Sequence, residues 1–246
     1  LSSEGTAILY ISHKLEEIRA LCDNATILRL GQVVGDCIPR DTTAREMAEM
    51  MVGSSLHVPE RAGGEIGPVL LKINDLSVAS PSEFGTSLKK ISLEVRAGEV
   101  LGLGGVAGNG QDELLAVLSG EIPTAPGAIE LDGETIGALG PVARRRKGLL
   151  TAPEERLGHA AAPDMSLIEN ALLTGSVREG LESRGFLKWG KAKGFAEAII
   201  ERFDVRTPGP TNAARSLSGG NLQKFVIGRE VMQRPDVLVV NQPTWG

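Results

Sequence analysis

No run of apolar residues in the sequence approaches the ~20 that a membrane-crossing helix needs, so any membrane role has to be peripheral. Positive charge is also short. The 26 Lys and Arg stand against 31 Asp and Glu, and a formal net charge of -5 removes the electrostatic footprint of a general nucleic-acid binder. The one basic run, Arg144-Arg145-Arg146-Lys147, reads as a solvated helix face. The two cysteines, Cys22 and Cys37, form no CxxC or metal-ligand spacing; buried or idle thiols are the reading, which suits a reducing compartment. There is neither an initiator Met nor a signal-peptide pattern before the strand-like run Ala7 to Ile11, and the expectation is a truncated start. What is present is ordinary for a folded domain. Apolar residues at 41% and charged residues at 23% argue against disorder and fibrous repeats, and 246 residues suffice for one large core or two modest ones.

The pattern divides the chain at residues 54–68, where periodicity gives way to Gly, Pro and charge, the composition of a linker. Before it, strand Thr6–Ser12, helix His13–Cys22, a β-pair turning at Gly31 and helix Thr43–Met51 are expected, with Thr43 and Glu46 spaced as a capping box. This block, residues 1–53, is too small to own a good core and reads as the C-terminal edge of a larger domain. Residues 69–246 read as a second domain. Strands are expected at Val69–Val78, Leu88–Val95, Glu99–Gly104, Ile129–Leu131, Gly148–Thr151 and Val237–Val240. Helical periodicity over about 165–205 marks a helical subdomain, and Ser218–Met232 reads as a capped helix.

The segment Gly105-Val-Ala-Gly108-Asn-Gly110 matches the G-x-x-x-x-G frame of a phosphate loop between a strand and a helix. Glycines let backbone N–H groups converge on phosphate oxygens, and the helix that follows points its positive end at them. The two residues that do chemistry in such a loop, Lys and then Ser or Thr, are replaced by Gln111 and Asp112. Gln111 brings no charge. Asp112 puts a carboxylate where phosphate and Mg²⁺ would lie, a repulsion of ~4 kcal/mol at ~4 Å and an effective dielectric of ~20, unless it caps the helix and takes the anion's place. At the end of Val237–Val240, Asn241-Gln242 stands where a metal-holding Asp and a water-polarising Glu are expected, so two charges are lost there too.

Between these two motifs lies Leu217-Ser218-Gly219-Gly220-Asn221, then a helix. Ser218 suits an N-cap, and the paired glycines let a partner's phosphate reach the helix N-terminus. The order phosphate loop, this motif, apolar closing strand resembles the nucleotide-binding domain of ABC transporters, where LSGGN is a signature form in sugar importers. Pro153-Glu154-Glu155-Arg156 resembles that family's coupling loop with Glu154 in place of the usual Gln. Ile11-Ser12-His13-Lys14-Leu15 resembles the switch-histidine motif closing the first of two tandem ATPase domains.

The resemblance implies an α/β, P-loop NTPase-like ABC ATPase domain with an antiparallel β subdomain and an α-helical subdomain. It implies an ATP- and Mg²⁺-using subunit of a simple-sugar or nucleoside importer, peripheral on the cytoplasmic face of the membrane. Its expected partners are the permease subunits, indirectly a solute-binding protein, and the other ATPase domain of the same chain; no nucleic acid and no metal ligand are expected of these residues. By the same resemblance, Gly105, Gly108, Gly110, Gln111, Asp112, Asn241 and Gln242 form a degenerate nucleotide site. Ser218, Gly219, Gly220 and Asn221 complete the first domain's site, where His13 contacts the γ-phosphate and attacking water. Hydrolysis by these 246 residues alone is expected to be negligible. Two other classes stay open at this point: a non-hydrolytic nucleotide-binding regulatory module, and a soluble ABC protein acting on nucleic acid.

Overall fold

The computed structural model describes residues 1–53, 55, 64–80 and 85–243. The chain forms two compact units, Leu1–Gly63 and Gly64–Gly246. Most of the expected linker, residues 54 and 56–63, lies outside the described residues.

In the first unit, α1 (Leu15–Leu21) precedes an antiparallel hairpin of β1 (Ala25–Arg29) and β2 (Gln32–Cys37), followed by α2 (Ala44–Val52). Leu30 and Gly31 make the turn with positive φ. The capping box at α2 is complete: Thr43 Oγ1 accepts from Glu46 N, and Thr43 N donates to Glu46 Oε2 at 2.8 Å. The strand expected at Thr6–Ser12 does not form; the segment is unpaired and Leu9 and Ile11 are 87% and 88% exposed. Strand propensity needs a neighbouring backbone to satisfy it. Among the described residues none pairs with this one.

The second unit starts with β3 (Val69–Val78) and β4 (Leu88–Arg96), continues through α3 (Gln111–Ser119), β5 (Ile129–Leu131) and β6 (Glu134–Thr135), and makes the antiparallel sheet β4-β3-β5-β6. Inward residues of β3 alternate as Leu71 and Ile73, then shift to Leu76. A bulge at this point, with Asp75 at φ 41, inserts the extra residue that keeps Leu76 on the core face. Helix α4 (Pro141–Arg146) then leads to β7 (Leu149–Ala152), which pairs in parallel with β10 (Val237–Val240). Leu114, Val117 and Leu118 of α3 share one core with the antiparallel sheet and with Leu149 and Val237.

The helical subdomain contains α5 (Leu167–Gly175), a hairpin of β8 (Glu182–Ser183) and β9 (Phe186–Leu187), α6 (Trp189–Arg202) and α7 (Gly219–Met232). Leu167, Ala171, Phe195, Ile199, Leu222 and Phe225 form its core. A Cβ on Gly228 would meet the Phe203 ring at 2.6 Å, so glycine sets the close approach of α6 and α7. Ser166 caps α5 in a second full capping box, and the Glu169 carboxyl is held below its ordinary range by the Ser166 hydroxyl first and the backbone N–H second. A carboxyl lowered in the folded state contributes stability above its unfolded pKa and loses it as pH falls through the folded value. We expect Ser166→Ala to cost ~1 kcal/mol at neutral pH and this loss to shrink on acidification below the ordinary carboxylate range, read by thermal melts across that window.

Two readings of the sequence are corrected here. Glu99–Gly104 is no strand: it runs unpaired from β4 toward α3 with Val100 80% exposed, again for want of a neighbouring ladder among the described residues. The basic run is not a solvated face throughout. Arg144 is fully buried, and its guanidinium donates to the carbonyls of Leu139, Val117, Leu118 and Gly137, so each of its three nitrogens has a partner where α3 ends. Burial pushes its pKa down, and the four carbonyls are what let the cation stay.

Candidate functional site: two helix N-termini of opposite character

The glycine loop enters α3 with Gly108 and Gly110 in the left-handed region, φ 84 and 102. Thr86 Oγ1 donates to Gly108 O at 2.6 Å and pins the loop. The cradle is closed from within. Gln111 folds back so that its Nε2 donates to Val106 O at 3.1 Å and its Oε1 accepts from Asn109 N at 3.0 Å. A Cβ built on Gly105 would lie 2.8 Å from Gln111 Nε2. The amide of one side chain thus occupies a backbone N–H, that of Asn109, that a phosphate would need.

Charge at this helix end points the same way. The first turn of α3 carries Asp112 and Glu113, two carboxylates against roughly half a positive charge from the helix dipole. Glu113 Oε1 accepts from Thr86 N at 2.8 Å, tying the segment that leads into β4 to α3. Sequence reading singled out Asp112 and missed Glu113; two adjacent acidic residues in the first helical turn were its signal. Asp112 does not cap the helix. Its Oδ1 accepts from Asn241 Nδ2 at 2.8 Å, a contact between residues 129 apart in sequence. Asn241 also donates its backbone N–H to Ala152 O at 3.0 Å, immediately before Pro153-Glu154. Helix α3, strand β10 and the start of the segment Pro153–Arg156 therefore meet at Asn241. Gln242 follows at φ 50, exposed and without a hydrogen bond among the described residues. Such a site does not fit a Mg²⁺–triphosphate: Gln111 sits in the cradle, the loop has no lysine and both carboxylates near it, Asp112 and Glu113, are already bonded. Among the described residues no group of three or more His, Cys, Asp or Glu could hold a metal ion.

The N-terminus of α7 is the reverse. Ser218 holds the N-cap position at φ -63 and ψ 154, but its Oγ makes no capping bond to the backbone and instead accepts from Asn221 Nδ2 at 2.9 Å. Asn221 Oδ1 is engaged by Arg206 N at 2.8 Å, so the asparagine is fixed at both ends. Ser218, Gly219 and Gly220 are exposed, and the first turn contains no acidic residue. The first backbone N–H groups of a fourteen-residue helix are left to solvent with the dipole uncompensated, and beyond Gly220 a Cβ would meet nothing within 4 Å. Gly219 is tighter: a Cβ there would lie 2.9 Å from Arg156 Nη1 of the coupling loop. Farther along α7, Arg229 Nη2 donates to Ala160 O at 2.8 Å. The signature helix thus bears on the loop of Glu154 at two points, a link absent from the sequence pattern.

Glu154 itself is half-buried and its side chain makes no hydrogen bond to a described residue. His13 lies in the first unit, exposed, two residues ahead of α1, in a segment held to that helix by Tyr10 Oη donating to Glu17 Oε2 at 2.6 Å.

A family model described as ABC transporter matches residues 88–245. The nucleoside import ATP-binding protein NupA of Lactococcus lactis is 38% identical over the whole of this chain and 49% of its own length. The glucose import ATP-binding protein TsgD13 of Haloferax volcanii is 38% identical over 100% of this chain and 45% of its own, and the guanosine import ATP-binding protein NupO of Bacillus subtilis 37% over 100% and 48%. The chain spans about half the length of the curated relatives it matches. Among solved structures, the post-hydrolysis dimer of the ATP-binding cassette MJ0796 with ADP and Pi superposes with a TM-score of 0.56 at 18% identity, covering 72% of this chain and 75% of that one. A nucleotide-free ATP-binding cassette gives 0.54 at 21%, covering 72% and 70%. At those identities the structures speak for the fold alone, and they agree with the mixed α/β architecture above. On the family match and the whole-chain identity to import ATP-binding proteins, the chain belongs to the ABC transporter family.

Proposed function

We propose that this chain is part of the ATP-binding subunit of an importer for simple sugars or nucleosides, in which its second unit serves as signature donor rather than as hydrolytic site. The observation that carries the reading is the contrast between two helix ends: α7 presents free N–H groups and no carboxylate, whereas α3 is plugged by Gln111 and faced by Asp112 and Glu113. An anion is stabilised at the first and repelled at the second. In the full-length protein, Ser218–Asn221 then complete an ATP site whose phosphate loop lies in the other ATPase domain, and His13 belongs to that competent site. ATP with Mg²⁺ supplies the phosphoryl chemistry there; this chain's part is to orient and neutralise from the signature side.

The partners are permease subunits, bound through the loop of Glu154 on the cytoplasmic face of a membrane, and indirectly a solute-binding protein. No described helix is long and apolar enough to cross a membrane itself. The domain plan, residues 1–53 as the end of a first ATPase domain, 54–68 as linker and 69–246 as most of a second, is part of the same proposal. The 246 residues alone should hydrolyse negligible ATP.

Asp112 bonded to Asn241 is the usual hydroxyl-and-carboxylate metal pair with the carboxylate moved to the opposite partner. Asn241→Asp alone should therefore lower the melting temperature by a few degrees, because two carboxylates at ~4 Å repel by about 1 kcal/mol in a water-like medium and up to ~4 at an effective dielectric of ~20. Adding Asp112→Ser removes the clash, and Gln111→Lys opens the cradle and restores its cation. The triple variant should bind Mg²⁺–ATP at least tenfold more tightly than the parent, measured by calorimetry with and without Mg²⁺. A parent chain that already binds Mg²⁺–ATP as tightly as the triple variant would refute the degenerate-site reading.

A further inference from the structure

A second charged feature lies away from both helix N-termini. The C-terminal ends of α4, α6 and α7 converge with the turn after α5 on a cleft of ≈ 1010 Å³, near the upper end of the usual range of small-molecule sites, about 300–1,000 Å³. Four arginines line it, Arg146, Arg178, Arg202 and Arg234, against a single acid, Glu179. In a chain of net charge -5 this is a local reversal of sign.

The arginines are not there to pair with carboxylates. Arg178 donates to three main-chain carbonyls, those of Gln233 at 3.0 Å, Arg145 at 3.2 Å and Arg234 at 2.8 Å. Its position is fixed and its charge is not cancelled. Arg146, Arg202 and Arg234 make no ion pair or hydrogen bond through their side chains among the described residues. Cations at helix C-termini also compensate helix dipoles, and that is the plainer explanation to weigh. Each converging helix end contributes roughly half a negative charge, so three of them offset one and a half of the four guanidinium charges and, with Glu179, leave the cleft distinctly positive.

A different kind of observation concerns the floor. Gln233 is 2% exposed, lines the cleft, and its Oε1 is buried with no hydrogen-bond partner. An orphaned acceptor of this kind carries an uncompensated desolvation penalty unless a donor reaches it. Beside it, Phe195 and Met232 supply an apolar wall.

We infer that this cleft binds a small hydroxylated phosphomonoester, the phosphate held by Arg146, Arg202 and Arg234 and a ligand hydroxyl donating toward Gln233 Oε1. Guanidinium forks match phosphate oxygens in geometry as well as charge. The assignment is independent of the signature-donor reading, since none of these residues belongs to the glycine loop or to Ser218–Asn221.

The test is calorimetric titration of the 246-residue chain with ribose 5-phosphate, inorganic phosphate and ribose. Ribose 5-phosphate should bind one to one and at least threefold more tightly than inorganic phosphate, ribose should give no heat, and affinity should fall with added salt. Arg202→Glu and Arg234→Asn should each weaken binding at least tenfold. Asparagine is chosen because Arg234 sits at φ 52, which it tolerates. Arg215→Glu, at the exposed pair with Asp164, should leave binding unchanged. No saturable binding, an equal loss with Arg215→Glu, or capture by phosphatidylglycerol vesicles while ribose 5-phosphate stays inert would each overturn the assignment.

Discussion

Replacing Ser218 with tyrosine in the full-length protein is expected to lower steady-state ATP hydrolysis at least about 100-fold, the usual cost of losing a preorganised donor at a phosphate, whereas Gln111→Ala should leave it within about threefold. The asymmetry follows from what each side chain touches. Ser218 stands at the N-cap of α7 with its Oγ held by Asn221, beside exposed N–H groups that no carboxylate screens. A phenol ring there fills the approach that Gly219 and Gly220 keep open. Gln111 bonds only to its own loop, at Val106 O and Asn109 N, so truncation to alanine empties a cradle that the proposed mechanism does not use. A steady-state assay that ranks the two variants the other way would place hydrolysis on the glycine loop. Asn221→Ala gives an intermediate check: it releases Ser218 Oγ and Arg206 N together and should slow turnover without blocking the surface.

Much of this was legible in the chain because the signals are local. The capping box read at Thr43 and Glu46 forms as expected, and Ser166 with Glu169 spells the same signal, which the sequence reading did not single out. The alternation of β3 and the helical faces of Leu167 and Phe195 likewise need only nearest turns to be read. The failures have one physical root. Glu99–Gly104 and Thr6–Ser12 have strand composition, but a strand exists only where another backbone pairs with it, and local sequence does not report that neighbour. Arg144 reads as surface by charge, yet it is buried because four carbonyls, from residues 137–139 and from the end of α3, converge on it. At the candidate site, the substitutions at Gln111, Asp112, Asn241 and Gln242 were visible as types. Their consequence, a glutamine plugging its own loop and an Asp112–Asn241 bond across 129 residues, required coordinates.

Glu230→Ala should destabilise the second unit by ~3–5 kcal/mol, the cost of leaving buried cations uncompensated, and lower its melting temperature by roughly 6–20 °C. Glu230 is fully buried in the last turns of α7. Its carboxylate accepts from Arg229 Nε at 2.9 Å, from Thr174 Oγ1 of α5 at 3.0 Å, and from Arg145 Nη2 of α4. Removal strands Arg229, 2% exposed, whose pKa is already pushed down by burial and is supported from the other side by Glu230. It also removes the bonds by which Glu230 links α7 to Arg145 of α4 and Thr174 of α5. The magnitude separates this from a lost surface pair, which is worth about 0–1 kcal/mol. Glu230→Gln keeps acceptors for Thr174 and Arg229 but not the charge, so it should lose less than alanine does. The pairing account further requires non-additivity: once Arg229→Met has removed the more deeply buried of the two arginines on Glu230, adding Glu230→Ala should cost less than it does alone, even though Arg229→Met itself orphans the carbonyls of Asn170 and Ala160. Urea melts of the four proteins in the cycle measure each step; an alanine variant within 1 kcal/mol of the parent, or strictly additive losses, would exclude buried charge compensation as the role of Glu230. Because Arg229 is also the residue that joins α7 to the loop that follows β7, at Ala160, variants that survive folding should show α7 and that loop loosening together, which amide exchange at Ala160, Ala161 and Leu222 reads directly.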